Sequence, residues 1–322
     1  MHQLVREHFS PAFDMKELND SAVIDFVEGI HKLAFTTDSY VVSPLFFPGG
    51  NIGDLAVNGT VNDLSVVGAR PLYLTAGFII EEGFPLGDLK LVLSSMAQAA
   101  HTAGIRIVAG DTKVVDRGKG DGLFINTSGI GAVPDNIYFG PRNIRTGDRI
   151  IISGLMGNHG VAVLSERNGL AFNPPVLSDT APLNGLVKLM TRFTGGIKMM
   201  RDPTRGGVAT TLKEIAMESG CCITIMENML PVSGGVKGAC DLLGLDPLYI
   251  ANEGILIAVV SPDAADSLAG EMRAHPLGKD AAVIGEVTGC EERSGGMVVL
   301  KTLIGGTRIV DMLAGEQLPR IC

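Results

Sequence analysis

The sequence predicts a mixed α/β protein of two domains, and three observations carry that reading. At 322 residues the chain is long enough for two domains of ordinary size, and 46% of it is hydrophobic, enough for two cores. Strand-like and helix-like patterns alternate in both halves. Between them, residues 134–148 hold Pro134, Pro141 and Gly147 and read as a boundary. The expected division is 1–140, 146–314 and a mobile tail, 315–322.

The elements follow in order. Residues 33–42 are rich in β-branched residues and read as a strand. Over 88–103, Leu89, Val92, Leu93, Met96 and Ala100 recur at helical spacing, and Gly104 can close the helix. A strand is expected over 105–109, ending at Gly110-Asp-Thr-Lys113, and another over 123–131. In the second half a strand over 149–153 leads into Gly154-Leu-Met-Gly-Asn-His-Gly160, with a helix from about Val161. Residues 173–182 contain three prolines and read as a loop. A helix over about 206–218 presents Val208, Leu212 and Ile215 on one face. Strands are expected over 255–260 and 297–303. The halves show no sequence repeat.

Composition excludes several classes. Net charge is −9 and no basic run occurs, which argues against a nucleic-acid partner held by phosphate contacts. No apolar stretch reaches membrane-spanning length, and the first residues do not form a signal peptide, so the expectation is a cytoplasmic, reduced protein with no membrane partner. The five cysteines form no C-x-x-C pair and indicate neither a zinc site nor a disulfide framework. Cys221 and Cys222 open an apolar run and read as small buried strand residues. His101 and His275 read as structural.

The candidate chemistry lies in acidic residues beside glycines or at strand ends. These are Asp20, Asp38, Asp63, Asp111, Asp202 and Glu253. A carboxylate that interrupts an apolar run is costly unless paired or metal-bound. Each alone also suits a turn or a helix cap. Together they favour a magnesium–phosphate site, because Mg²⁺ takes one or two carboxylates plus phosphate oxygens and water. Glycine segments supply anion-binding backbone: Phe47-Pro-Gly49-Gly50 is one, and Arg205-Gly206-Gly207 opens a helix. Lys113 and Arg205 add cations. The spacing fits neither a Walker A loop nor a Gly-x-Gly-x-x-Gly motif. His159 stands in a loop where it can bind phosphate, move protons or merely shape the turn. The chain closes on Pro319-Arg-Ile-Cys322, a thiol beside its own α-carboxylate, whose charge disfavours the thiolate.

Taken together, Val57-Asn-Gly-Thr-Val-Asn62-Asp63, Gly68-Ala-Arg-Pro-Leu-Tyr73, Gly147-Asp-Arg-Ile-Ile-Ile-Ser-Gly154, Asp202-Pro-Thr-Arg-Gly-Gly207 and Asn252-Glu-Gly254 resemble the signatures of the aminoimidazole ribonucleotide synthase superfamily. Thr37-Asp-Ser-Tyr40, Gly110-Asp-Thr-Lys113 and the terminal Pro-Arg-Ile-Cys resemble its branch that matures [NiFe] hydrogenase. The resemblance implies two α/β domains, the first pairing in a homodimer to build a shared β-barrel. It implies that HypF loads a carbamoyl group on Cys322. The chain itself would then use ATP and Mg²⁺ to dehydrate that thiocarboxamide to a thiocyanate, for transfer to iron on a HypC–HypD complex. By the same resemblance Asp38, Asp63, Asp111 and Asp20 go to Mg²⁺. Asn62, Gly49, Gly50, Asp202, Arg205, Gly206 and Gly207 go to the nucleotide. Cys322, Glu253, Lys113 and His159 go to the chemistry. The family usually has a His-Gly-x-Gly-Gly stretch ahead of the segment that Met1-His2-Gln3-Leu4 resembles; in a form without that stretch the resemblance implies weaker ATP binding. A sibling ATP enzyme acting on a free small molecule, or a non-catalytic carrier of Cys322, remain the alternatives.

Overall fold

A computed structural model describes residues 22–24, 32–193, 195–290 and 296–313. Asp20 and Cys322 lie outside the described residues.

The first half builds a five-stranded sheet. Its strands are β1 (Ala22–Ile24), β2 (Lys32–Tyr40), β5 (Arg70–Glu81), β6 (Arg106–Val115) and β7 (Leu123–Val133), in the order β1-β2-β7-β5-β6. A small ribbon, β3 (Phe46–Phe47) and β4 (Gly50–Asn51), leads into helix α1 (Ile52–Val66); helix α2 (Leu86–Ala103) joins β5 to β6. That crossover makes β5 and β6 the sheet's one parallel pair among the described residues. Asn51 caps α1 by accepting from Gly53 N at 2.8 Å, while Asp54 accepts from Asn51 N at 2.9 Å. The helix is buried on nearly every side. With α2 it covers one sheet face through Leu55, Val61, Val92 and Met96, which pack on Leu74 and Ile125. The other face is open: Phe35, Tyr73 and Ile79 are each more than 40% exposed.

The second half forms a seven-stranded sheet. Its elements are β8 (Arg149–Ile152), α3 (Asn158–Asn168), α4 (Asn184–Met190), β9 (Ile197–Arg201), α5 (Gly207–Ser219), β10 (Cys221–Met226), α6 (Gly234–Leu243), β11 (Ile257–Val260), α7 (Pro262–Arg273), β12 (Ala282–Cys290), β13 (Val298–Lys301) and β14 (Thr307–Val310). The strand order is β14-β13-β10-β12-β8-β11-β9. Helix α5 packs Val208, Leu212 and Ile215 against Ile150, Ile152 and Ile223 on one face. Helices α4 and α7 bury Leu186, Met190 and Leu268 against Ile151 and Ala258 on the other.

Three expectations need correction, and one element was not anticipated. The strand expected to stop at Ala109 runs on to Val115, because Gly110 lets its backbone pass Ala76: a Cβ there would lie 2.6 Å from the Ala76 carbonyl. The helix expected from Val161 begins at Asn158, because Gly157 (φ 82°) turns the chain into it, and so His159 is helical. Helix α1 had no expectation at all. Finally, Cys221 and Cys290 are joined by a disulfide. They stand opposite each other in the β10–β12 register, a pairing that cysteine count and spacing cannot register.

Candidate functional site

The candidate site lies where α1 of the first sheet meets the loops of the second. Residues 176–183 run across that junction as a strap. Asn62 of α1 donates through Nδ2 to Ala181 O (3.1 Å) and Glu253 O (3.2 Å), and its Oδ1 accepts from Leu183 N (2.7 Å). One turn earlier, Asn58 Nδ2 donates to Thr180 Oγ1 at 3.2 Å. Ser178 N donates to Pro48 O at 2.8 Å.

Asp179 anchors the strap. Its carboxylate accepts from Glu253 N at 3.2 and 3.3 Å and from Gly254 N at 3.1 Å. The His159 backbone N–H, in the first turn of α3, also stabilises its charged form. Burial still dominates and pushes the Asp179 carboxyl up to about 6. Only glycine fits at 254, since a Cβ there would lie 1.7 Å from the Asp179 carbonyl. Sequence reasoning passed over Asp179 because it sits in a proline-rich loop with no periodicity.

Around this strap gather the expected carboxylates. Glu253 is 3% exposed and Asp202 8%. The Glu253 carboxyl is driven well above its ordinary range, first by burial and then by the charges of Asp202, Asp179 and Asp38. Asp38, on β2, is raised by desolvation despite the Ser39 N–H it accepts at 2.7 Å and the nearby charge of Arg205. Asp63 accepts from Thr36 Oγ1 at 2.7 Å. Burial, and then the charges of Asp38, Asp63 and Glu253, lift the Tyr40 phenol well above 10. Thus β2, α1, the strap, the β9–α5 turn and the 252–254 turn bring Asp38, Asp63, Asp179, Asp202, Arg205 and Glu253 to one place. The Glu253 Oε1 and Asn58 Oδ1 atoms are buried there without a hydrogen-bond partner among the described residues.

The glycines divide by role. Gly206 (φ 73°) and Gly207 (φ 61°) open α5, and a Cβ on Gly207 would lie 2.5 Å from Ile250 O. Their turn leaves the first N–H groups of a 13-residue helix beside Asp202 and Arg205. Gly49 (φ 93°) and Gly50 instead receive the strap: a Cβ on Gly49 would lie 2.7 Å from Ser178 N. His159 is fully buried, with Nδ1 2.9 Å from Ser178 Oγ and its ring edge-to-face with Phe47 at 5.3 Å. That placement suits a brace between strap and ribbon.

Asp111 and Lys113 are not brought to this place. They stand on exposed β6, 3.7 Å from each other. Register sets Asp111 level with Gly77 and Asn126, and Asn126 level with Ser39. That is three strand spacings from β2, about 14 Å. Asn126 donates to Ser39 Oγ at 2.9 Å on the open face, whereas Asp38 shares the helix-covered face with Thr36 and Tyr40. Among the described residues no three His, Cys, Asp or Glu side chains are grouped to hold a metal ion alone. The pair Asp38 and Asp63 fits Mg²⁺ only in its usual mode, where phosphate oxygens and water complete the shell.

Two sheets flanked by helices, joined through a shared acidic junction, define the AIR synthase related class. The N-terminal domain model of that family matches residues 18–133, and its C-terminal domain model matches 145–296. The carbamoyl dehydratase HypE of Bradyrhizobium diazoefficiens is 54% identical over 326 residues, covering 100% of this chain and 93% of that protein. A HypE crystallised as a HypE–HypF complex superposes with a TM-score of 0.89 at 49% identity, over 96% of this chain and 99% of that one. A HypE crystallised with ATP gives 0.87 at 48% identity, over 100% and 96%. The chain belongs to the HypE family.

Proposed function

We propose that this chain is an ATP-dependent carbamoyl dehydratase acting on its own C-terminal Cys322. The reaction converts S–C(=O)–NH₂ to S–C≡N with loss of one water. The observation that carries this reading is Glu253: a buried carboxylate, raised in pKa, with one oxygen lacking a donor among the described residues, at the junction where the Gly206-Gly207 turn and acidic pair converge. The ATP complex of a relative 48% identical supports the nucleotide.

ATP supplies the activation that lets the carboxamide oxygen depart with a phosphoryl group. The N–H groups of the Gly206-Gly207 turn and the Arg205 guanidinium hold phosphate charge. Asp38 and Asp63 would hold Mg²⁺, which would screen the phosphate charge. Glu253 takes one proton from the carboxamide nitrogen, and the second N–H proton leaves with the departing phosphate. Burial and the neighbouring carboxylates raise its pKa, which makes it a stronger base than an ordinary carboxylate. Asp179 fixes the Glu253 backbone, and His159 braces the strap.

The tail visits three places in this reading: HypF, which loads it; the chain's own site; and the HypC–HypD acceptor. The HypF complex of a relative supports the first. The open face of the first sheet, with edge strand β6 and exposed Phe35, Tyr73 and Ile79, is where a homodimer would close its shared barrel. Asp111 and Lys113 would then line that interface. Intact mass measured after incubation with HypF, carbamoyl phosphate and ATP tests the function. The expected result is a carbamoyl adduct on Cys322 followed by ATP-dependent loss of one water. An adduct that keeps its water makes the chain a carrier. No adduct on Cys322 refutes both.

A further inference from the structure

We propose that Asn58 is a substrate-recognition residue: its Oδ1 and the Glu253 carboxylate together receive the two N–H bonds of a primary carboxamide. The inference rests on the dehydratase reading and deepens it.

Two observations lead here. Asn58 is 4% exposed and Glu253 3%, yet Asn58 Oδ1 and Glu253 Oε1 have no hydrogen-bond donor among the described residues. A buried acceptor left without a donor costs as much as a lost hydrogen bond, and at a candidate active site a donor arriving with the ligand would remove that cost. The second observation is that the two acceptors share one frame. Asn62, which binds the Glu253 carbonyl, is one helical turn from Asn58, so their Cβ atoms are about 6 Å apart on the same face of α1. Asn58 grips Thr180 while Asn62 grips Ala181, adjacent residues of the strap whose preceding residue, Asp179, holds Glu253 N.

This frame is rigid. Asn58 Nδ2 is committed to Thr180, which turns Oδ1 away from the strap. Gly59 places α1 directly over Tyr40, where a Cβ would lie 2.3 Å from the phenol oxygen. Two acceptors with no adjoining donor match –NH₂, which offers two N–H bonds, and mismatch a carboxylate or an ester, which offers none. A site of this kind discriminates by leaving its own buried groups unpaired when the wrong ligand enters. Asn58 would orient the nitrogen, and Glu253 would take the proton.

The test uses the full chain with its tail carbamoylated by HypF, loading verified by intact mass. Single-turnover loss of water on adding ATP and magnesium is then followed for wild type and Asn58→Ala, with nucleotide and magnesium affinities measured separately. The expected result is a rate about tenfold lower for Asn58→Ala, the usual cost of one lost hydrogen bond to a buried group. Both affinities should stay within about twofold. A wild-type rate in the variant overturns the inference. So does a fall in nucleotide or magnesium affinity matching the fall in rate, which would assign Asn58 to the metal–nucleotide site. If Asn58→Ala does not fold, Asn58→Ser is measured instead: a rate more than about threefold below wild type with both affinities kept supports the inference, and any smaller loss overturns it. A wild-type chain that loads but never loses water refutes the dehydratase reading itself, not the role of Asn58 within it.

Discussion

Asp63 and Asp179 separate two uses of a carboxylate in one site. Asp63 is partly open and held by Thr36, suited to a cation that arrives with phosphate. Asp63→Asn should abolish phosphate release from ATP while Cys322 remains loadable by HypF, as read by intact mass; undiminished hydrolysis would remove Asp63 from the magnesium site. Asp179 is structural, and its pKa gives a signed expectation. The folded carboxyl, at about 6, lies above the unfolded 3.8. The folded state therefore binds more protons between those values, and stability falls as pH rises from about 4 to about 6, then levels. Asp179→Asn removes that slope. Thermal melts of both proteins from pH 4 to 7 should show the variant gaining relative to wild type as pH rises, and parallel curves would refute the assignment.

At the scale of elements, what the sequence shows and hides follows from periodicity. Helix α2 is legible because one stripe is buried and the rest is wet. Helix α1 is not: it is buried on nearly all sides, so it has no stripe, and only the Asn51-Ile-Gly-Asp54 cap marks its start. The acidic residues were legible as chemistry because carboxylates between glycines and apolar runs conflict with plain packing. Their grouping was only partly legible. Asp38, Asp63, Asp202 and Glu253 converge, while Asp111 is turned to the opposite face by strand alternation through Gly110. The strap was hidden because its partners, Asn58, Asn62 and Glu253, are 74 to 122 residues away in sequence. Its fit can be tested at Gly254. Gly254→Ala should displace the strap and cost about 3 kcal/mol or more, seen as a lower Tm. Amides of 252–254 should exchange hydrogen faster than in wild type. Unchanged stability would mean that strap and turn do not meet as described.

For the whole molecule, two sheets of different topology share one site, and neither domain completes it alone: β2 and α1 bring the acidic pair, while the second half brings Glu253 and the α5 turn. Such a site depends on the two domains staying registered. Asn62 ties α1 to Ala181 and Glu253, and Gly140 N donates to Lys198 O at 2.9 Å. The open face of the first sheet belongs to the same scale. A charge introduced there by Ile79→Asp, where Ile79 is 46% exposed, should shift sedimentation from dimer to monomer without lowering the folded fraction. A monomeric wild type would refute the shared barrel.

In the proposed reaction this chain dehydrates its own tail with Glu253 as the base. The most direct measurement is intact mass of Glu253→Gln beside wild type, both loaded by HypF and then given ATP and magnesium. Wild type should lose one water from the carbamoylated tail, while the Gln variant should load, bind ATP and keep its carboxamide. Loss of water at the wild-type rate in Glu253→Gln would contradict the claim.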